Sequence, residues 1–338
     1  MGRMKPAWRR WIAVVGAALM MVGLAAPARA VTVRLAEQYG ISYLPLTVIE
    51  THHLLETLGR QKGVSITTKW LRFTGGAAMN EALIAGDLDI ASGGVTPMIL
   101  LWARTRENLH VGGIAALNSM PLYLNTIDPN VHSIRDFTSK DRIAMPAAGI
   151  SIQAITLMMA AAKTFGPSEA KKLNPLMVSM SHPDGMAALL SRKAGITAHF
   201  TSPPYMFEEL QHAGVHRVLD SYQVLGGPHT FITTWTTGRF VKKNPEIIPI
   251  MITALQQADG FITRHPGRAA ELYIKSTHTP LTKAALVKMI KNPEISWTIV
   301  PERTMVYARF MAKIGMIRAA PASWKDLFFP AIDNQPGS

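Results

Sequence analysis

The sequence predicts an α/β protein of two lobes, on three observations. Strand-like runs alternate with helix-like stretches along most of the chain, the order that builds a parallel sheet with helices on both faces. Glycines recur where a strand gives way to a helix, as in Phe73-Thr74-Gly75-Gly76-Ala77 and Ser92-Gly93-Gly94. The chain has 338 residues, 48% hydrophobic and 17% charged. That balance is ordinary for a globular protein, at a length one hydrophobic core seldom serves.

The N-terminus sets the compartment. Arg3, Lys5, Arg9 and Arg10 precede an apolar stretch from Trp11 to Leu24, and Ala28-Arg29-Ala30 puts small residues where a signal peptidase cuts. A cleaved export signal is expected over 1–30, with the mature chain starting near Val31. The stretch is short of the ~20 residues that span a bilayer. Trp11-Ile12 after Arg9-Arg10 does not suit twin-arginine export, so the general route is expected. Removing the leader takes five basic residues and no acidic ones, lowering the formal charge from +13 to +8. The remaining Lys and Arg are scattered, without a basic stripe, so nucleic acid is not an expected partner. There is no cysteine, which rules out disulfides, thiol catalysis, thiolate metal sites and a lipid tether on a cysteine after the signal. An exported chain without that tether needs an outer membrane to retain it, so the periplasm of a Gram-negative cell is the expected location.

Val31 to Ala36 alternates apolar and polar residues, the strand period, and Tyr39 to Tyr43 turns. Pro45 opens a helix through Leu58, ended by Gly59 and Gly63. Val64 to Phe73 is a second strand. Gly75 and Gly76 open a helix that Gly86 closes, and Leu88 to Ala91 is a third strand. A helix from Pro97 to Arg104 and a strand from His110 to Leu117 complete a β-α-β-α-β-α-β order. In the second half, Pro121 to Asn125 is a strand and Ser133 caps a short helix. Arg142 to Met145 is a strand leading through Gly149 into a helix from Ser151 to Phe165, whose Leu157-Met158-Met159 reads as core. Leu176 to Met180 is a strand, His182-Pro183-Asp184 caps a helix to Leu190, Ile196 to Phe200 is a strand, and Tyr205 begins another helix. Val218 to Val224 crosses back, Phe231 to Thr236 is a strand, and Asn244-Pro245-Glu246 starts a long helix through Arg264. Pro266 and Pro301 start further helices, the last ended by Gly315. The expected division is a leader over 1–30, a first lobe over 31–118, a second over 119–224, and a return to the first lobe with C-terminal helices over 225–338.

Open α/β sheets bind ligands at their carboxyl edge, and bare N–H groups at a helix start favour oxygen-rich or anionic groups. Thr74, Gly75, Gly76 and Ala77 offer such a start, and Ser92, Gly94 and Thr96 form the neighbouring loop. Gln38, Tyr39 and Tyr43 follow the first strand, Ser151 and Gln153 follow Gly149, and Thr201, Ser202 and Tyr205 stand at the next junction. Asn118 and Ser119 are expected to line the hinge and the cleft together. Each has a plain alternative as a cap, a turn or core. Arg72 reads as a solvated strand end, His199 as a packed or surface histidine, and His52-His53 lacks metal-ligand spacing. No nucleophile–base pair, carboxylate pair or phosphate loop is apparent, so neither catalysis nor a cofactor is expected.

Three stretches carry a resemblance: Thr74 to Thr96, Arg142-Ile143-Ala144-Met145-Pro146 before Gly149, and Phe240-Val241-Lys242-Lys243-Asn244-Pro245-Glu246. The last looks like a strand followed by a helix opened at Lys243-Asn244-Pro245-Glu246. With them, nearly the whole mature chain resembles the solute-binding proteins of ABC importers in the nitrate/sulfonate/taurine group, a type II periplasmic binding protein family. The resemblance implies two αβ lobes with two hinge crossings, and a small molecule captured between them. It further implies a monomer that delivers the solute to an inner-membrane permease driven by a cytoplasmic ATPase. Gln38, Tyr39 and Tyr43 match the position of the family's first ligand loop. Nitrate, a sulfonate, a carboxylate and a pyrimidine-like molecule all remain open. The rivals are a sensory solute receptor and an enzyme resembling the thiamine-pyrimidine synthases, which depend on a cysteine-rich motif absent here.

Overall fold

Strand β1, Arg29–Glu37, starts two residues before the expected mature N-terminus, because Arg29 and Ala30 already pair in parallel with Val64 and Ser65. The structure is a computed structural model describing residues 29–193 and 195–338, so the expected leader lies, up to residue 28, outside the described residues. Val31, Val33 and Leu35 are buried on β1, while Thr32 between them is exposed. Arg34 clasps Asp89 through two side-chain contacts of 2.8 Å, joining β1 to the loop before the third strand.

The helix expected from Pro45 to Leu58 is two helices, α1 (Leu44–Thr51) and α2 (Leu54–Gln61). They part at His53, whose left-handed backbone (φ 50°) no continuous helix admits. Gly59 does not stop α2. It lies inside the helix against the next strand, β2 (Val64–Arg72). Then come α3 (Gly76–Ala85), β3 (Ile90–Gly94), α4 (Val95–Arg104) and β4 (Gly112–Ala116). A two-residue strand β5, Asn118–Ser119, follows at once.

The second sheet begins with β6 (Tyr123–Thr126). The expected Ser133 helix is absent. Asp136 instead accepts the backbone N–H groups of His132 and Ser133, closing a turn. Next are β7 (Ile143–Met145), α5 (Ile152–Phe165), β8 (Met177–Ser179), α6 (His182–Ser191), β9 (Ala198–Thr201), α7 (Tyr205–Glu209) and β10 (His216–Asp220). The end of the crossing expected over Val218 to Val224 lies in the short helix α8 (Ser221–Leu225), capped by Asp220.

Strand β11 (Ile232–Thr236) returns to the first sheet, and Phe240 then lies in helix α9 (Gly238–Lys243) where the resemblance placed a strand. Thr237 caps α9 by accepting the Phe240 N–H, which starts the helix at Gly238, five residues ahead of Lys243. The remainder is α10 (Ile247–Arg264), α11 (Pro266–Thr277), α12 (Lys283–Ile290), β12 (Ser296–Trp297) and α13 (Thr304–Lys313).

The first sheet runs β2-β1-β3-β11-β4 and the second β10-β6-β9-β7-β8. Neither is wholly parallel. β11 lies antiparallel between β3 and β4, and β6 is antiparallel to both β9 and β10. Between the sheets, β5 and β12 pair antiparallel. Helix α13 packs on α4 of one lobe and α5 of the other, and the Tyr307 hydroxyl meets that of Thr156 at 3.0 Å. Among the described residues, no helix is long and apolar enough to cross a membrane.

Candidate functional site

Four helices aim their N-termini at one point between the sheets. Gly76 is the first residue of α3, Gly94 caps α4, Ser151 caps α5, and His182 is the first residue of α6. These residues, with Gln38, Tyr39 and Tyr43 after β1 and with Pro97, Pro146, Ile152, Gln153 and Phe231, enclose a gap of about 20 Å³. That is little more than one water needs, so the two lobes are shut on each other. The Ile41 N–H donates to the Pro203 carbonyl at 3.3 Å and the Thr96 hydroxyl to the Ile150 carbonyl at 2.8 Å. A Cβ on Gly75 would lie 2.5 Å from the Pro146 carbonyl oxygen of the opposite lobe. The dipoles of four helix starts make the gap electropositive without any cationic side chain on it.

Gln38, Tyr39 and Tyr43 also line a wider outer chamber of about 330 Å³, at the lower end of the range for small-molecule sites. Tyr205, Glu208 and Pro204 from the second lobe face Tyr273, Arg72 and Glu37 of the first across it. Arg72 is an exposed strand end, as expected, but it is also paired. Its Nη2 donates to Glu37 Oε1 at 2.5 Å, and its guanidinium lies 5.6 Å from the Tyr39 ring centre. Burial pushes the Glu37 carboxyl up, and Arg72 partly offsets this. The Glu208 carboxyl is also pushed up, by burial and then by Glu209. Burial raises the hydroxyl pKa values of Tyr43, Tyr205 and Tyr273.

His199 is no isolated core histidine. Its Nδ1 lies 2.5 Å from Glu209 Oε1, and its Nε2 lies 3.2 Å from His182 Nδ1. The His182 Nε2 in turn meets Gln153 Nε2 at 3.4 Å. Asn125 Nδ2 donates to the other Glu209 oxygen at 2.8 Å. His199 and Glu209 are fully buried, and His182 is 5% exposed. Burial, then the neighbouring His199, holds His182 well below the usual histidine range.

Of the residues singled out by sequence, the gap gathers Gln38, Tyr39, Tyr43, Gly76, Gly94, Ser151 and Gln153, and Tyr205 stands on the outer chamber. Thr201 Oγ1 meets His182 Nδ1 at 3.1 Å, just behind the wall. Ser92 and Ser202 are buried with hydroxyls that have no hydrogen-bond partner. Thr74 is exposed and lines neither space. Ala77 faces a separate cavity with Asn80 and Leu101. Asn118 and Ser119 sit in the crossing instead. Asn118 Nδ2 donates to the Ser42 carbonyl at 2.6 Å, and the Ser119 hydroxyl donates to the His229 carbonyl at 2.8 Å. Sequence reasoning missed His182, Glu37, Glu208 and Tyr273. His182 was readable only as a helix start, placed by Pro183 and Asp184 just after the strand that ends near Met180.

No protein-family model matches the chain, and no curated protein sequence matches it. Solved structures do. The alkanesulfonate-binding protein SsuA of Xanthomonas axonopodis pv. citri, bound to MOPS, superposes with a TM-score of 0.66 at 18% identity, over 90% of this chain and 98% of that one. The periplasmic aliphatic sulphonate-binding protein SsuA of Escherichia coli gives 0.64 at 17%, over 90% and 99%. The periplasmic nitrate-binding protein NrtA of Synechocystis PCC 6803 gives 0.67 at 12%, over 90% and 85%. The likeness runs over nearly the full length of these proteins, and the chain has the periplasmic binding protein fold.

Proposed function

We propose that the chain is the extracytoplasmic solute-binding component of an ABC importer. It is exported by the cleavable leader over 1–30, retained in the periplasm as a monomer, and catalyses no reaction. It captures a small solute between the lobes and hands it to an inner-membrane permease coupled to a cytoplasmic ATPase. The observation that carries this reading is the convergence of four helix N-termini, two from each lobe, on one interlobe gap. Backbone N–H groups there hold an oxygen-bearing head group, and the tyrosines of the outer chamber enclose the rest. The crossings at 118–119 and 225–232 act as the hinge, with the lobes divided at 118 and 224.

The test is a melting-temperature screen of the purified mature protein against small anions, cations and neutral metabolites, followed by X-ray scattering on each hit. A solute that binds only the folded state raises the melting temperature, and hinge closure around it lowers the radius of gyration. A screen without any hit, or hits that leave the radius unchanged at saturation, would overturn the reading.

A further inference from the structure

The gap is ringed by helix starts but by no lysine or arginine, and His182 is the side chain on it whose ring can take up a proton. The contacts behind His182 admit an arrangement in which every proton points one way. Glu209 accepts at both oxygens, so the proton it shares with His199 belongs on Nδ1 of that ring. With a single proton on the His199 ring, its Nε2 accepts from His182 Nδ1–H, and the Thr201 hydroxyl oxygen, 3.1 Å away, faces the same N–H. This leaves the His182 Nε2 bare, accepting from the Gln153 amide. At rest, every proton in the chain points away from the gap, towards Glu209. One added proton reverses the near end: Nε2 becomes a donor facing the gap, whichever ring carries the charge, and the Glu209 carboxylate balances it.

We propose that His182, His199 and Glu209 form a proton relay, by which an acid-bearing solute is bound together with one proton. This rests on the reading of the gap as a solute site, and it narrows the solute to weak or strong acids captured as their anions. The relay is built into the lobe. A Cβ at Gly185 would lie 2.7 Å from His199 Nε2, so that glycine of α6 leaves room for the ring. The other groups around His182 do not substitute for it. Tyr205 stacks on it at 5.6 Å, Thr201 touches Nδ1, and Tyr39 and Tyr43 share the gap with it. Asp184, on its own helix, is engaged by Ser181 at 2.5 Å, while Arg72, Glu37 and Glu208 line the outer chamber. Because burial disfavours a charged His182 in the free protein, the proton arrives with the anion, and the Gln153 amide, which can no longer donate to Nε2, gives way to the anion there.

Calorimetry with ethanesulfonate, nitrate and acetate as probes, at pH 7.5 in imidazole and in Tris, reads proton uptake from the difference in heat between the buffers. The expected result is one proton taken up per anion bound, with affinity rising about tenfold as the pH falls from 8 to 7. His182→Gln should abolish the uptake and flatten the pH profile, and Glu209→Gln should weaken binding at every pH. Should these variants not fold, nitrogen-15 spectra of the wild-type histidines show the tautomers directly: His182 Nε2 bare before the anion, protonated after. Binding without proton uptake, or an Nε2 already protonated in the free protein at pH 8, would overturn the relay and leave the receptor reading standing. Silence with all three anions would also overturn it, and the receptor reading would then be decided by the neutral and cationic solutes of the wider screen.

Discussion

Asp259 shows what a single side chain contributes to the pH response of this fold. It sits on α10 with Oδ1 buried and without a partner, and burial pushes its pKa up to about 8. Unfolded, the same carboxyl titrates near 3.9. Between those values the folded state holds the extra proton, so stability falls as pH rises through the window. Asp259→Asn should remove that slope. In thermal melts the variant should exceed wild type by about 5 °C at pH 8.5 and by little at pH 5, and equal gains at both would refute the assignment. A residue of this kind is invisible in the sequence, because nothing in Gln257-Ala258-Asp259-Gly260 marks the aspartate as enclosed. The same holds for His182 and Glu209. Their types are ordinary, and only the folding of α6 and α7 beside β9 brings them into one chain of contacts.

Whole elements were more legible, and their errors have physical causes. Strands β1, β2 and β11 and helix α5 lie where apolar periodicity and caps put them, since those signals are local. Gly59 misled because a glycine commonly ends a helix. Here it serves close approach, since a Cβ would lie 2.8 Å from the Ile66 side chain and the Val64 carbonyl of β2. Gly59→Ala would gain about 1 kcal/mol of helix propensity and lose about 1–3 kcal/mol to overpacking against the sheet. The expected outcome is a net loss of about 1 kcal/mol in urea unfolding, and a stabilised variant would show that β2 can yield. The direction of β11 was likewise unreadable. Its apolar, β-branched run Ile232-Thr233-Thr234 suits either orientation, and the antiparallel setting follows from long-range pairing with Gly93 and Ala116.

At the scale of the molecule, the glycine-rich segment after Phe73 was legible as special, but its role differs from the simple one of exposing N–H groups. Gly75 lies in extended backbone (φ −172°), which any residue can adopt. What excludes a side chain there is the carbonyl of Pro146, 2.5 Å from where a Cβ would stand. Gly75→Ala should therefore leave both lobes folded and keep them apart. Scattering should give a larger radius of gyration than wild type, with unchanged circular dichroism and weakened solute binding. A variant as small as wild type would mean that the 146–147 segment gives way instead.

The placement of β11 has one more consequence, for the order in which the molecule is made. The strand that fills the middle of the first sheet belongs to residues 232–236, long after β3 and β4, which it joins. Until a ribosome has passed that point, both neighbours carry bare edges, the kind of surface that recruits other chains. Biogenesis of this protein is thus committed to a late stitch, and a chaperone or a channel holding the polypeptide extended has a defined interval to guard.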